Sequence, residues 1–203
     1  MDSGGRKVEF YAAPRRPTAD PVPRSAAREV RIIGGRCRGR RLRFPPAAQL
    51  RPTPDRVRET LFNWLGQDLT GRSTLDLYAG SGALSLEALS RGAASAVAVD
   101  RDPRLVAAIA ANARDLGLDG LRAVRGDARA FLEAAGGAWD VIFCDPPYAD
   151  DPWDWLLPAC AGRLAAGGAI YAEAGRRLAP PAGLVLARDG RAGQVVYHLF
   201  RPG

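Results

Sequence analysis

Asp145-Pro146-Pro147-Tyr148 is the stretch of this chain whose residue types are hardest to explain without chemistry. It follows Trp139-Asp140-Val141-Ile142-Phe143-Cys144, an apolar run that reads as a buried strand. An acid, two prolines and an aromatic at a strand's carboxyl end make a rigid hook facing solvent. The Asp145 carboxylate and the Pro146 carbonyl can both accept hydrogen bonds. Pro147 fixes the turn and offers no competing N–H, and Tyr148 supplies a flat face for stacking. Two acceptors beside one aromatic plate suit an exocyclic amino group on a planar base. The plainer reading is a strand-ending turn with a packed tyrosine.

What lies upstream decides between the two. Asp76-Leu77-Tyr78-Ala79-Gly80-Ser81-Gly82 stands at the end of another strand-like run, just before a helix. Gly80 and Gly82 let the backbone pass close to a ligand where a Cβ would clash. A dinucleotide fold wants G-x-G-x-x-G, and here Ser85 stands at the third position. Asp76 also repels a pyrophosphate, whereas a sulfonium and an ammonium attract it. The loop therefore reads as one for S-adenosylmethionine, with Asp76, Ala79, Gly80, Ser81 and Gly82 against the cofactor. Asp100, followed by Arg101, ends the next strand and is placed to accept ribose hydroxyls. Gly126-Asp127-Ala128 follows a third strand, with Asp127 and Ala128 at the adenine. Any one of these acids could be a helix cap, and Asp127 taken alone more often would be. Four in register on one sheet edge, Asp145 included, are much harder to explain as caps.

The elements that must hold these residues follow from punctuation and periodicity. From Thr74 onward the pattern is strand–helix repeated: strands over 74–78, 96–99, 121–124 and 139–144, helices over 83–91, 103–116, 128–134 and 155–164. Asp102 and Pro103 mark a helix start, and Gly92 and Gly117 mark stops. Further strands are expected over 169–173, 184–188 and 195–200, one closing the sheet antiparallel. Such alternation specifies the α/β class, an open, mostly parallel sheet with helices on both faces, and a ligand crevice at the strand carboxyl ends. Before it, 30–33 and 41–44 read as a small β-hairpin. Thr53 reads as an N-cap, with Pro54 in the first turn of a helix that carries Val57, Leu61, Phe62, Trp64 and Leu65 and ends near Gly66. Residues 1–27, rich in Pro, Ala and Arg, read as a disordered basic tail. The expected organisation is tail 1–27, hairpin and helix 28–66, and cofactor domain 67–203.

Charge adds a partner. Residues 1–60 hold 15 Arg/Lys against 6 Asp/Glu and residues 61–203 hold 14 against 16, so the +7 net charge is +9 in the first part and −2 in the second. A basic segment on a near-neutral domain points to a polyanion. Arg36, Arg38, Arg40 and Arg41 in and beside the hairpin turn, then Arg51, Arg56 and Arg58, are the candidate phosphate contacts. The three cysteines, without C-x-x-C, and the single His198 disfavour a disulfide framework and a metal site. The first residues have no apolar core of the secretory kind, and no apolar run reaches the roughly 20 residues a membrane helix needs. A cytoplasmic monomer is the expectation.

Taken together, Arg31–Gly35, Arg51-Pro52-Thr53-x-Asp55 through Trp64, Ala79 through Arg91 and Asp145–Tyr148 closely resemble the RsmD-type small-subunit ribosomal RNA guanine-N2 methyltransferases. Gly193-Gln194-Val195-Val196-Tyr197 is similar to that family's ending. The resemblance covers roughly residues 30–200 and leaves the tail out. It implies a seven-stranded, Rossmann-like fold dependent on S-adenosylmethionine, with an N-terminal β-hairpin, and methylation of one guanine of 16S rRNA, position 966. It implies Asp145, Pro146, Pro147 and Tyr148 as the catalytic hook, and the rRNA or small-subunit particle as the partner. Arg51 and Thr53 are expected near the methionine end of the cofactor. The rivals are an adenine-N6 DNA methyltransferase, for whose target-recognition domain the length leaves little room, and a non-catalytic RNA-binding protein with a relic fold. An NAD oxidoreductase is disfavoured by Ser85 and by the lack of a suitable acid–base histidine.

Overall fold

The computed structural model describes residues 9–10, 27–46 and 53–203. Arg51 lies outside the described residues, as does the segment read as a tail apart from residues 9–10 and 27. Ten strands are present among them: β1 Glu9–Phe10, β2 Arg28–Arg31, β3 Arg41–Phe44, β4 Ser73–Asp76, β5 Ser95–Asp100, β6 Leu121–Arg125, β7 Trp139–Cys144, β8 Leu164–Ala174, β9 Leu184–Ala192 and β10 Val195–Pro202. The helices are α1 Asp55–Leu65, α2 Ala83–Ser90, α3 Pro103–Leu116, α4 Ala128–Ala134 and α5 Trp153–Ala161.

Eight strands form one sheet in the order β1-β6-β5-β4-β7-β8-β10-β9. β6, β5, β4, β7 and β8 run parallel, and β10 inserts antiparallel between β8 and β9. Seven of the eight are the expected set. The eighth is the dipeptide Glu9–Phe10, paired antiparallel with Arg125 and Val124 at the β6 edge. The second sheet is the hairpin β2–β3. Strand order reverses between β4 and β7, the switch point at which such sheets open a crevice.

Alternation along the strands builds a core on each face. Val141, Phe143 and Tyr171 face α1, α2 and the hairpin, where Ile32, Leu42, Phe44, Leu61 and Phe62 are all buried. Ile142, Cys144 and Ile170 face α4 and α5 beside Phe131, Leu156 and Leu157. The helix ends follow local chemistry. Asp102 caps α3 by accepting the Arg104 N–H with Pro103 behind it, and Gly117 ends that helix at φ 64°. Thr53 is not the cap of α1: that position is Pro54, with no side-chain cap hydrogen bond. The Thr53 hydroxyl instead donates to Glu173 Oε1 across the fold, 2.9 Å away.

Strand ends depart from the periodicity where side chains intervene. β2 stops at Arg31 because the Ile33 and Gly34 amides turn to the Glu87 carboxylate, 2.8 and 2.7 Å away. β8 starts at Leu164 because it pairs there with Trp139, which shortens α5 at its far end. No helix among the described residues is long and apolar enough to cross a membrane.

Candidate active site

The loop after β4 is strapped to both neighbouring strands. Leu77 N–H donates to the Phe143 carbonyl (3.2 Å) and Ala79 N–H to the Val99 carbonyl (3.0 Å). Asp100, at the end of β5, grips the loop itself: its Oδ2 accepts the Gly80 N–H and its Oδ1 the Asp102 N–H, both at 2.8 Å. Gly82 holds φ 75°, and a Cβ there would meet Ile109 Cγ1 at 2.7 Å, so glycine is required by conformation and by space. Ala79 and Ser81 are buried beside it, as is Ala128 across the edge.

Four carboxyl groups stand at this sheet edge. Asp76 ends β4, buried, with Oδ2 accepting the Ser85 hydroxyl at 2.8 Å. Burial, then the charges of Asp100 and Glu173, push its carboxyl up to about 7 against that hydrogen bond. Burial also raises Asp100. Asp127 caps α4 by accepting the Ala130 N–H (3.0 Å) and forms an ion pair with Arg101. Among the described residues none of Asp76, Asp100 and Asp145 forms an ion pair with a cationic side chain. Such an edge fits a ligand bearing a sulfonium and an ammonium, and it fits a pyrophosphate badly.

Asp145 continues directly from β7 on the same face as Phe143. Burial, then Glu173, then Asp76, hold its carboxyl well above the usual carboxylate range. Pro146 is buried and Pro147 exposed. Tyr148 is 51% exposed, so about half of its surface is open to solvent at the end of the hook.

The arginines divide. Arg36, Arg38, Arg40, Arg41 and Arg56 are exposed, Arg41 in an ion pair with Glu29 (2.8 Å). The hairpin turn is held far from the crevice: Arg36 N–H donates to the Ser90 carbonyl and its guanidinium to the Gly117 carbonyl, at the trailing ends of α2 and α3. The 14 residues of α3 separate the two places by about 20 Å. A cleft of about 430 Å³ runs beside α3, walled by Arg40, Arg41, Arg43, Asn112 and Asp115.

Arg58 is a correction. It is fully buried, so it is neither a phosphate contact nor a solvated helix residue. Its guanidinium bridges Asp55 (2.7 Å) and Glu87 (3.3 Å) and donates to the carbonyls of Arg31 (2.7 Å) and Thr53 (3.3 Å). Glu87, equally buried, also accepts from Arg91 at 2.9 Å. Sequence reasoning missed Glu87 and Glu173. The signal was there: each is a lone acid in an otherwise apolar or small-residue element, ALSLEALS and AIYAEA, and such an acid must be partnered inside.

The family model Conserved hypothetical protein 95 matches residues 30–201. The chain belongs to that family. This Conserved hypothetical protein 95 member is 40% identical over 182 residues to ribosomal RNA small subunit methyltransferase D of Escherichia coli K12, covering 87% of this chain and 92% of that protein. It superposes on the solved structure of yhhF from Escherichia coli with a TM-score of 0.77 at 40% identity, over 86% of this chain and 98% of that one. At 22% identity and a TM-score of 0.59, over 75% of this chain and 94% of that one, it shares the fold of a Salinibacter ruber RNA methyltransferase in complex with S-adenosyl-L-homocysteine. The motifs that carry the RsmD-type resemblance thus belong to a family member whose fold is that of the methyltransferases.

Proposed function

We propose that this chain uses S-adenosylmethionine to methylate the N2 amino group of one guanine in 16S rRNA, the guanine numbered 966 in the family. The observation that carries the reading is Asp145 at the switch point, next to a half-exposed Tyr148 and a crevice that holds Asp76 and Asp100 without an ion-pair partner. S-adenosylmethionine supplies an electrophilic methyl on a sulfonium. The residues of the chain do the rest. Asp76 meets positive charge, Asp100 holds the glycine loop closed around a ribose, and Asp127 and Ala128 border the adenine end.

A guanine amino lone pair is delocalised into its ring and is a poor nucleophile. Asp145 and the Pro146 carbonyl accept its two N–H bonds and turn the lone pair toward the crevice, while Tyr148 stacks on the base. Most of the acceleration comes from that alignment. The base must leave its stack to reach the hook. Arg36, Arg38, Arg40 and Arg41 fix phosphates beside α3, away from the crevice, so they position the RNA without reading the target base.

The test is methyl transfer from labelled S-adenosylmethionine to unmodified 30S particles and to naked 16S rRNA, with the modified base mapped. Label on N2 of a single guanine supports the reading. Label on an adenine, or none on either substrate, overturns it.

A further inference from the structure

Glu173 lies directly behind Asp145. Parallel pairing of β7 with β8, strands about 4.8 Å apart, ends at Cys144↔Ala172, and Asp145 and Glu173 are the next residues along the two neighbouring chains. Both follow the face that carries Phe143 and Tyr171. Asp145 is partly open to the crevice, whereas Glu173 is buried. Two hydroxyls converge on Glu173 Oε1: Thr53 donates from 2.9 Å and Tyr171 from 2.8 Å. An oxygen that accepts two donors is furnished to carry negative charge. Among the described residues Asp145 accepts no such hydroxyl donor, and it stands where the base amino group is expected.

We infer that Glu173 is the positioning residue of the active site, a buried anion fixed by Thr53 and Tyr171 that makes Asp145 the member of the pair that holds and releases a proton. The inference rests on the methyl-transfer reading above and deepens it. After the amino nitrogen has bonded to the methyl group, one of its N–H bonds must break. The electron pair stays on nitrogen and the proton goes to an Asp145 oxygen. A second carboxylate on the adjacent strand makes Asp145 basic enough to accept it, at the cost that Asp145 must first be ionised by an arriving positive charge. Burial raises both carboxyls; Glu173 adds to the rise at Asp145, while the Tyr171 and Thr53 hydroxyls partly offset it at Glu173 alone.

The titratable groups that act on the pair are Asp76 from β4, which raises Asp145, and Tyr171 from β8, which donates to Glu173; Arg58 from α1 reaches only the carbonyl of Thr53. Arg58 is committed to Asp55 and Glu87, so it does not neutralise the pair. This also explains the motif position of Thr53: its hydroxyl sets the charge of Glu173 and does not cap a helix.

The experiment compares the full-length protein with Glu173→Gln and Thr53→Val, reading two quantities. One is the pH profile of single-turnover methyl transfer. The other is the titration of the Asp145 carboxyl by carbon-13 NMR with labelled aspartate, which needs no activity. Glu173→Gln should move the Asp145 midpoint and the acid limb of the profile down by about one pH unit or more, so that the variant outperforms its own wild-type-normalised rate in acid. Thr53→Val should move both the same way by less. Leu156→Ala, in the opposite core, should lower stability and leave both midpoints alone. An Asp145 midpoint unmoved in Glu173→Gln and Thr53→Val overturns the inference, even where methyl transfer is normal. A moved midpoint in a protein that transfers no methyl keeps the pair and sinks the functional reading instead. If Glu173→Gln does not fold, Thr53→Val decides.

Discussion

Asp76 should make cofactor binding depend on pH in a range where few carboxylates titrate. Its carboxyl stands at about 7 in the ligand-free protein because it is buried beside other acids. A bound sulfonium and ammonium stabilise the ionised form and lower that value. The proton must therefore leave before the cation settles. Affinity is full above about 7 and is lost as pH falls through it, by close to tenfold, or ~1.4 kcal/mol, per unit. From about pH 7.5 to about pH 5.5 the ionised fraction drops from about three quarters to about 3%, which weakens binding about 25-fold, or ~2 kcal/mol. Calorimetry at the two pH values measures this directly, and repeating it near pH 7 in buffers of different ionisation heat should show about half a proton released per cofactor bound. Asp76→Asn isolates the residue: its affinity at pH 7.5 is lower, and its pH slope is shallower by the Asp76 share. The same substitution should raise the melting temperature of the ligand-free protein at pH 7.5. A carboxyl whose folded value lies above its unfolded one costs stability as pH rises from about 4 to about 7, and asparagine carries no such cost. Wild-type affinity that is equal at both pH values, or a slope unchanged in Asp76→Asn, would refute the placement of Asp76 against the cofactor's positive charge.

Three further outcomes follow from the same geometry. Asp145→Ala should keep cofactor affinity in calorimetry and lose methyl transfer; near-normal turnover would end the amino-group mechanism. Replacing Arg36, Arg38, Arg40 and Arg41 with Ala should raise KM for RNA and flatten the salt dependence of binding, leaving cofactor affinity unchanged; a folded variant with the wild-type salt slope would place the phosphate contacts elsewhere. Glu87→Gln should cost about 3–5 kcal/mol in urea unfolding, because it leaves two guanidiniums in the interior with a neutral partner, and a loss under about 1 kcal/mol would show that the network is not what docks the hairpin.

The sheet was readable because its punctuation is chemical: an acid or glycine ends each parallel strand, and Asp102-Pro103 and Gly117 frame α3. Helix α4 and strands β3 and β7 fall on the residues that periodicity gives. What could not be read is what crosses the fold. Arg58 was assigned to the surface because arginine usually lies there, yet it stands at i, i+3, i+4 and i+7 with Leu61, Phe62 and Leu65, at the head of the apolar stripe. Thr53 sits before a helix and resembles a cap. Only tertiary contact shows that it serves Glu173, 120 residues away. The two-residue strand β1 had no periodicity to reveal it.

The way the hairpin is fixed bears on how its function can be dissected or transplanted. Its backbone amides at Ile33 and Gly34 end on Glu87, its turn ends on Ser90, and its carbonyl at Arg31 ends on Arg58. Gly35 presses so close that a Cβ would lie 1.9 Å from the Ser90 carbonyl oxygen. Val30, Ile32, Leu42 and Phe44 are buried in the same core as α1 and α2. Deleting the hairpin would therefore strip a buried arginine and a buried glutamate of partners and bare an apolar face, so a truncated protein that fails on RNA would be reporting damage to its interior. A hairpin exchanged between relatives has to travel with its sockets on the two helices, at 58, 87, 90 and 91. The smallest graftable unit that carries the hairpin is thus a discontinuous one, part strand and part helix surface.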